Sequence, residues 1–75
     1  MIMTTNKQSR EMIDELQDGQ NVCFKVFDSV GAICYKCNGR YLLFEVTFQG
    51  GEQSYWGTYS NSEIDDLIEQ AESFK

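Results

Sequence analysis

The chain has 75 residues, 41% of them hydrophobic and 13% aromatic, enough for one small core and too few for a second. Twelve acids against six bases leave a formal charge of −6, which repels phosphate backbones, argues against direct nucleic-acid binding, and draws the chain to basic surfaces. The opening MIMTTNKQSREM lacks the apolar stretch of a signal peptide, no run approaches a membrane span, and three cysteines are an odd count for a disulfide framework. These features lead us to expect a single domain over 1–75, with reduced thiols, in a cytoplasm and off the membrane.

Residues 1–5 read as a flexible leader. Thr5 and Gln8 then have the spacing of a capping box, and a helix is predicted from Asn6 to about Gln17. Met12, Ile13 and Leu16 fall on its inner side, while Lys7–Glu11 and Arg10–Asp14 form four-apart pairs on the wet side. Asp18-Gly19 is a stop, because Gly19 is free to turn left-handed.

From Asn21 to Tyr59 the apolar period shortens to two. NVCFKVFD, GAICYKC, RYLLFEVTF and SYWGTYS read as four strands rich in branched and aromatic residues. Asn38-Gly39 is the strongest turn signal, and a two-residue loop there pairs Cys37 with Arg40, Tyr35 with Leu42, and Ile33 with Phe44. A two-residue loop at Ser29-Val30 would pair Val26 with Ile33, Phe24 with Tyr35, and Val22 with Cys37. Both hairpins then agree on one buried face, holding Val22, Phe24, Val26, Ile33, Tyr35, Leu42, Phe44, Val46 and Phe48. A turn at Gly50-Gly51, the preferred reading, puts Tyr55 and Tyr59 inside and Trp56 outside; a three- or five-residue loop would reverse them. Ser60 and Glu63 open a second helix that runs to about Ser73, with Ile64, Leu67, Ile68, Ala71 and Phe74 as its apolar stripe. The expected fold is α+β: a four-stranded antiparallel β-meander in the order α-β-β-β-β-α, with both terminal helices on one face of a two-layer sandwich.

The stretch CYKCNG poses the one metal question. A C-x-x-C turn resembles half of a zinc knuckle, but structural zinc takes four ligands, and only Cys23 remains in a chain without histidine. A redox pair wants its first cysteine at a helix N-terminus, and this one lies on a predicted strand. Packing is the better account of Cys34 and Cys37, with Cys37 inward and Cys34 outward beside Leu43. No cofactor is expected.

Catalysis is not expected either. Without histidine, base work would fall to a carboxylate such as Glu45, which alternation points outward, and Gly50-Gly51 lacks the residues of a phosphate loop. The candidate contact residues are instead Glu63, Asp65, Asp66, Glu69 and Glu72 on the second helix, opposed in sequence only by Lys75. At ~1.5 Å rise per residue, several of these acids are spaced like phosphates along a nucleic-acid strand. The predicted outer sheet face adds Phe27, Tyr41, Leu43, Glu45 and Trp56 as interface anchors.

In size, acidity and lack of catalytic groups the chain resembles phage-encoded inhibitors, including anti-CRISPR proteins and DNA mimics. The resemblance is one of general profile, without a shared motif. It implies a non-catalytic inhibitor or modulator of a larger protein with a basic, even nucleic-acid-binding, surface, acting in a host cytoplasm. Two alternatives stand beside it: a structural homodimer joined through the outer sheet face or an edge strand, and a small zinc module built on Cys34 and Cys37.

Overall fold

A computed structural model describes residues 5–74. Helix α1 (Asn6–Asp14) is followed by strands β1 (Asn21–Phe27), β2 (Val30–Cys37), β3 (Arg40–Thr47) and β4 (Gln53–Tyr59), a 3₁₀ turn (Asn61–Glu63) and helix α2 (Ile64–Ala71). The strands form one antiparallel sheet in the order β1-β2-β3-β4, and the expected α-β-β-β-β-α sandwich is the observed fold. Of the expected leader, residues 1–4 lie outside the described residues, and Thr5 is the N-cap of α1. Among the described residues no helix is long and apolar enough to cross a membrane.

Local signals worked where a single side chain decides the geometry. Thr5 Oγ1 accepts the Gln8 N–H at 3.1 Å while Gln8 Oε1 accepts the Thr5 N–H at 2.9 Å, closing the predicted capping box. Helix α1 nevertheless stops three residues earlier than its periodicity suggested. Past Glu15 the chain is drawn onto β2: Lys36 Nζ donates to the Leu16 carbonyl at 3.2 Å, and the Gly19 N–H donates to the Lys36 carbonyl at 2.8 Å. Gly19 takes φ +89° to make that approach. Of the four-apart pairs, Arg10–Asp14 closes at 3.4 Å. At the other end, Glu63 accepts the Ser60 N–H at 3.0 Å, as its spacing required.

The Asn38-Gly39 hairpin has the predicted register, with Cys37 opposite Arg40, Tyr35 opposite Leu42 and Ile33 opposite Phe44. The first hairpin does not. Its turn is Asp28-Ser29, one residue earlier than expected, because Asp28 tolerates the left-handed φ of +49° that the turn needs. Val26 therefore pairs with Gly31, and Cys23 with Ile33, with a bulge at Phe24 between them. The bulge turns both Phe24 and Lys25 towards the helices, and the buried Ser9 hydroxyl of α1 donates to the Phe24 carbonyl at 3.4 Å. A second bulge, at Trp56 in β4, reverses alternation there, so Tyr55 and Tyr59 end on opposite sides of the sheet. The third loop is also wider than a double-glycine turn: the Thr47 N–H donates to Glu52, and the Gly51 N–H to Thr47.

The largest correction concerns which face the helices cover. Ile13 and Leu16 with Ile64, Leu67, Ile68, Ala71 and Phe74 from the C-terminal side pack on Phe24, Ala32, Cys34, Tyr41 and Leu43. Phe24 was expected in the core and is there, but Cys34, Tyr41 and Leu43 belong to the face expected to be outer; Ile33 and Phe44, expected in the core, lie on the opposite side. The physical reason is volume. Ala32, Cys34 and Gly57 leave a shallow floor for the large aliphatic stripes of two helices, whereas the other face already carries bulk at Ile33, Tyr35, Leu42 and Phe44.

Candidate interaction surfaces

Inversion of the faces relocates the predicted anchors. Tyr41 is 3% exposed and Leu43 is 0% exposed, both inside the core, and Phe27 packs half-buried against it. Neither Tyr41 nor Leu43 is available to a partner, which corrects the expectation for both. Glu45 and Trp56 stand at the rim of the covered side, where Trp56 Nε1 donates to Glu45 Oε1 at 3.1 Å. The indole ring lies 4.8 Å from the ring of Phe74, closing the end of α2, and keeps 44% of its surface exposed. Trp56 is thus an outer wall of the core and an exposed ring at once.

The thiols likewise exchange sides. Cys34 is fully buried under the helices, and burial pushes its pKa up to about 12. Cys37 is exposed at the end of the hairpin, with its neighbours pointing to the other face. The two sulfurs of the C-x-x-C therefore do not converge, because three residues along a strand is an odd step. Among the described residues no cluster of three or more His, Cys, Asp or Glu is placed to hold a metal ion.

The side of the sheet away from the helices is open. Its centre is an aromatic row across three strands: Tyr35 meets Phe44 edge-on at 5.2 Å, and Phe44 meets Tyr55 edge-on at 5.5 Å. The Tyr35 hydroxyl crosses the row to donate to Gln53 Oε1 at 2.8 Å. Ile33 and Leu42 fill the same face, while Val26, Phe48 and Tyr55 are 45%, 47% and 58% exposed at its margins. The Phe48 ring folds over Gly31, where a Cβ would come within 2.6 Å of Cζ. Strand positions on this side carry no carboxylate, and Arg40 at the hairpin end is their one charged residue.

Carboxylates gather instead on the helical side. Of the five acids singled out in the sequence, three are engaged by their own chain. Glu63 caps Ser60, and hydrogen bonds from Ser60 hold its carboxyl below the usual range. Asp65 binds Arg10 Nη1 at 2.7 Å across the two helices, and this hydrogen bond raises the guanidinium pKa further. Glu72 lies 4.0 Å from Lys25 Nζ, a buried ammonium that also donates to Asn6 Oδ1 at 3.0 Å. Asp66 and Glu69 remain exposed and outside the ion pairs of the described residues. The Tyr59 hydroxyl, partly buried and facing Asp66 and Glu63, has its pKa pushed up by desolvation first and by those charges second.

A shallow groove of about 610 Å³ lies between α1 and β1, lined by Met12, Glu15, Leu16, Gln20, Asn21 and Val22. Its lining contains a single titratable group and no nucleophile, so it is no better a catalytic candidate than Glu45. The open face itself was missed in the sequence. The signal that could have found it is the run of small residues, Ala32, Cys34 and Gly57, on the other face. Comparison with protein-family models, curated proteins and solved structures finds no match to this chain.

Proposed function

We propose that this chain is a small, non-catalytic protein-binding module whose acid-bearing helical side engages a larger partner with a basic surface, inhibiting or modulating it. The observation that carries this reading is the segregation of charge: acids stand on the helices, the loops and, as Glu45, the rim of the covered side, with Asp66 and Glu69 free to reach outward, while the open sheet face carries none. A charge of −6 concentrated away from one face gives the chain a direction in which it attracts basic surfaces. The sequence contains no histidine, the commonest general acid–base residue, which favours a binding role over a catalytic one. A reducing cytoplasm, such as that of a phage-infected host, suits three cysteines that all remain free.

The test is capture of a partner from host extract on the immobilised chain, repeated with Asp65→Asn, Asp66→Asn, Glu69→Gln and Glu72→Gln combined. The neutralised chain loses at least about ten-fold in affinity, and binding by the original chain weakens steeply with salt. Equal binding by both, or indifference to ionic strength, removes the acidic side from the function.

A further inference from the structure

The open sheet face asks for an occupant. Monomers seldom leave a contiguous apolar patch of this kind in water, and here it spans three strands with the Tyr35–Phe44–Tyr55 row at its centre. We infer that the occupant is a second copy of this chain, packed face to face through the open side of the sheet.

Charge fixes the one face that a second copy can use. Two chains of −6 each repel in almost every orientation, and the one face free of carboxylates is the one on which they can meet. In that arrangement the two helical layers point away from each other, about 30 Å apart, several times the ~8 Å Debye length of physiological salt. A basic partner would find no carboxylate on this face to recognise. Its geometry also suits a two-fold contact, since a row of rings can lie across its own copy.

Area points the same way. Strands of seven or eight residues in a four-stranded sheet outline a rectangle of about 24 by 19 Å, hence roughly 450 Å² of flat footprint per copy. Doubled, and with side-chain relief added, this reaches the ~1,000 Å² at which specific interfaces begin, so the dimer is a modest one with a micromolar midpoint. Edge pairing is the competing geometry, and both edge strands are blunted by bulges, at Phe24 and at Trp56. The dimer presents two acid-bearing sides, back to back. It thereby deepens the proposed function, making the module bivalent towards basic surfaces, although the contact itself does not depend on that reading.

Sedimentation equilibrium tests the inference on the full chain and on two single variants, Val26→Glu and Tyr55→Glu. Both positions are exposed in the single chain, so a carboxylate there leaves its core intact but faces its own copy across the two-fold contact. At about 100 µM the original chain sediments at twice its 8.7 kDa mass, and each variant shifts the midpoint upward at least about ten-fold with unchanged circular dichroism. On the original chain alone, hydroxyl-radical labelling of Tyr55 falls as concentration rises through the midpoint. A monomer at that concentration, variants that remain dimeric, or constant labelling of Tyr55 overturns the face-to-face dimer. Neutralising Asp66 and Glu69 leaves the dimer mass unchanged, so loss of partner binding in that variant reports on the proposed function alone.

Discussion

Leu43 and Phe44 are neighbours on β3 that point to opposite sides of the sheet, and replacing each by alanine separates the two possible placements of the core. Leu43 is 0% exposed beneath the helices, whereas Phe44 is half-buried between Tyr35 and Tyr55. Leu43→Ala removes a fully buried side chain and leaves a cavity, a loss of about 3–4 kcal/mol. Phe44→Ala loses part of a transfer term and two edge-on ring contacts, together about 2 kcal/mol. A domain of this size has only about 3–5 kcal/mol to lose, so Leu43→Ala is marginally folded while Phe44→Ala still shows a full transition. Urea unfolding at about 1 µM, below the proposed dimer midpoint, reads the difference: at a slope of about 1 kcal/mol per molar the two midpoints lie at least about 1 M apart. Trp56, 4.8 Å from Phe74, supplies fluorescence sensitive to the docking of α2. At higher concentration the original chain gains stability that Phe44→Ala does not. If Phe44→Ala is the more damaging substitution at 1 µM, the helices cover the other face and the placement of the core is wrong.

Three further outcomes follow from single contacts. Gly31→Ala displaces the exposed Phe48 ring, 2.6 Å from the new Cβ, and crowds the Lys25 carbonyl at 3.1 Å and Cys23 Sγ at 3.3 Å, so it destabilises by about 1–3 kcal/mol in thermal melts; a neutral result would contradict the close approach of β1 to Gly31. Glu63, whose folded-state pKa lies below its unfolded value, contributes stability that is present above about pH 4.3 and lost as pH falls through the folded value. Glu63→Gln, which keeps the capping geometry without a titrating charge, flattens that acid limb, and an unaltered pH profile argues against the Ser60 contact. Exposed Cys37 reacts with a thiol reagent in the native chain while Cys34, with its pKa near 12 and no exposed surface, reacts only on unfolding; equal rates would contradict the burial of Cys34.

Sequence alone determined what a few neighbouring residues can settle. Thr5 with Gln8 set the start of α1, Ser60 with Glu63 opened the 3₁₀ turn that leads into α2, two residues shorter at its end than expected, and Asn38-Gly39 set the central hairpin and the register of β2 on β3. The acidic side was legible too, because five carboxylates within ten residues need no fold to be counted. Tertiary structure decided the rest. Both faces of the sheet are apolar, so alternation grouped Tyr41 with Leu43 and Ile33 with Phe44 but could not say which pair the helices would choose. That choice depended on space: small residues at Ala32 and Cys34 share one core with the bulk of Ile64, Leu67 and Ile68, a match between segments far apart in the chain. The bulges at Phe24 and Trp56 belong to the same class, for one turns Phe24 under the helices and the other sets Trp56 against Phe74, contacts with segments far away in the chain.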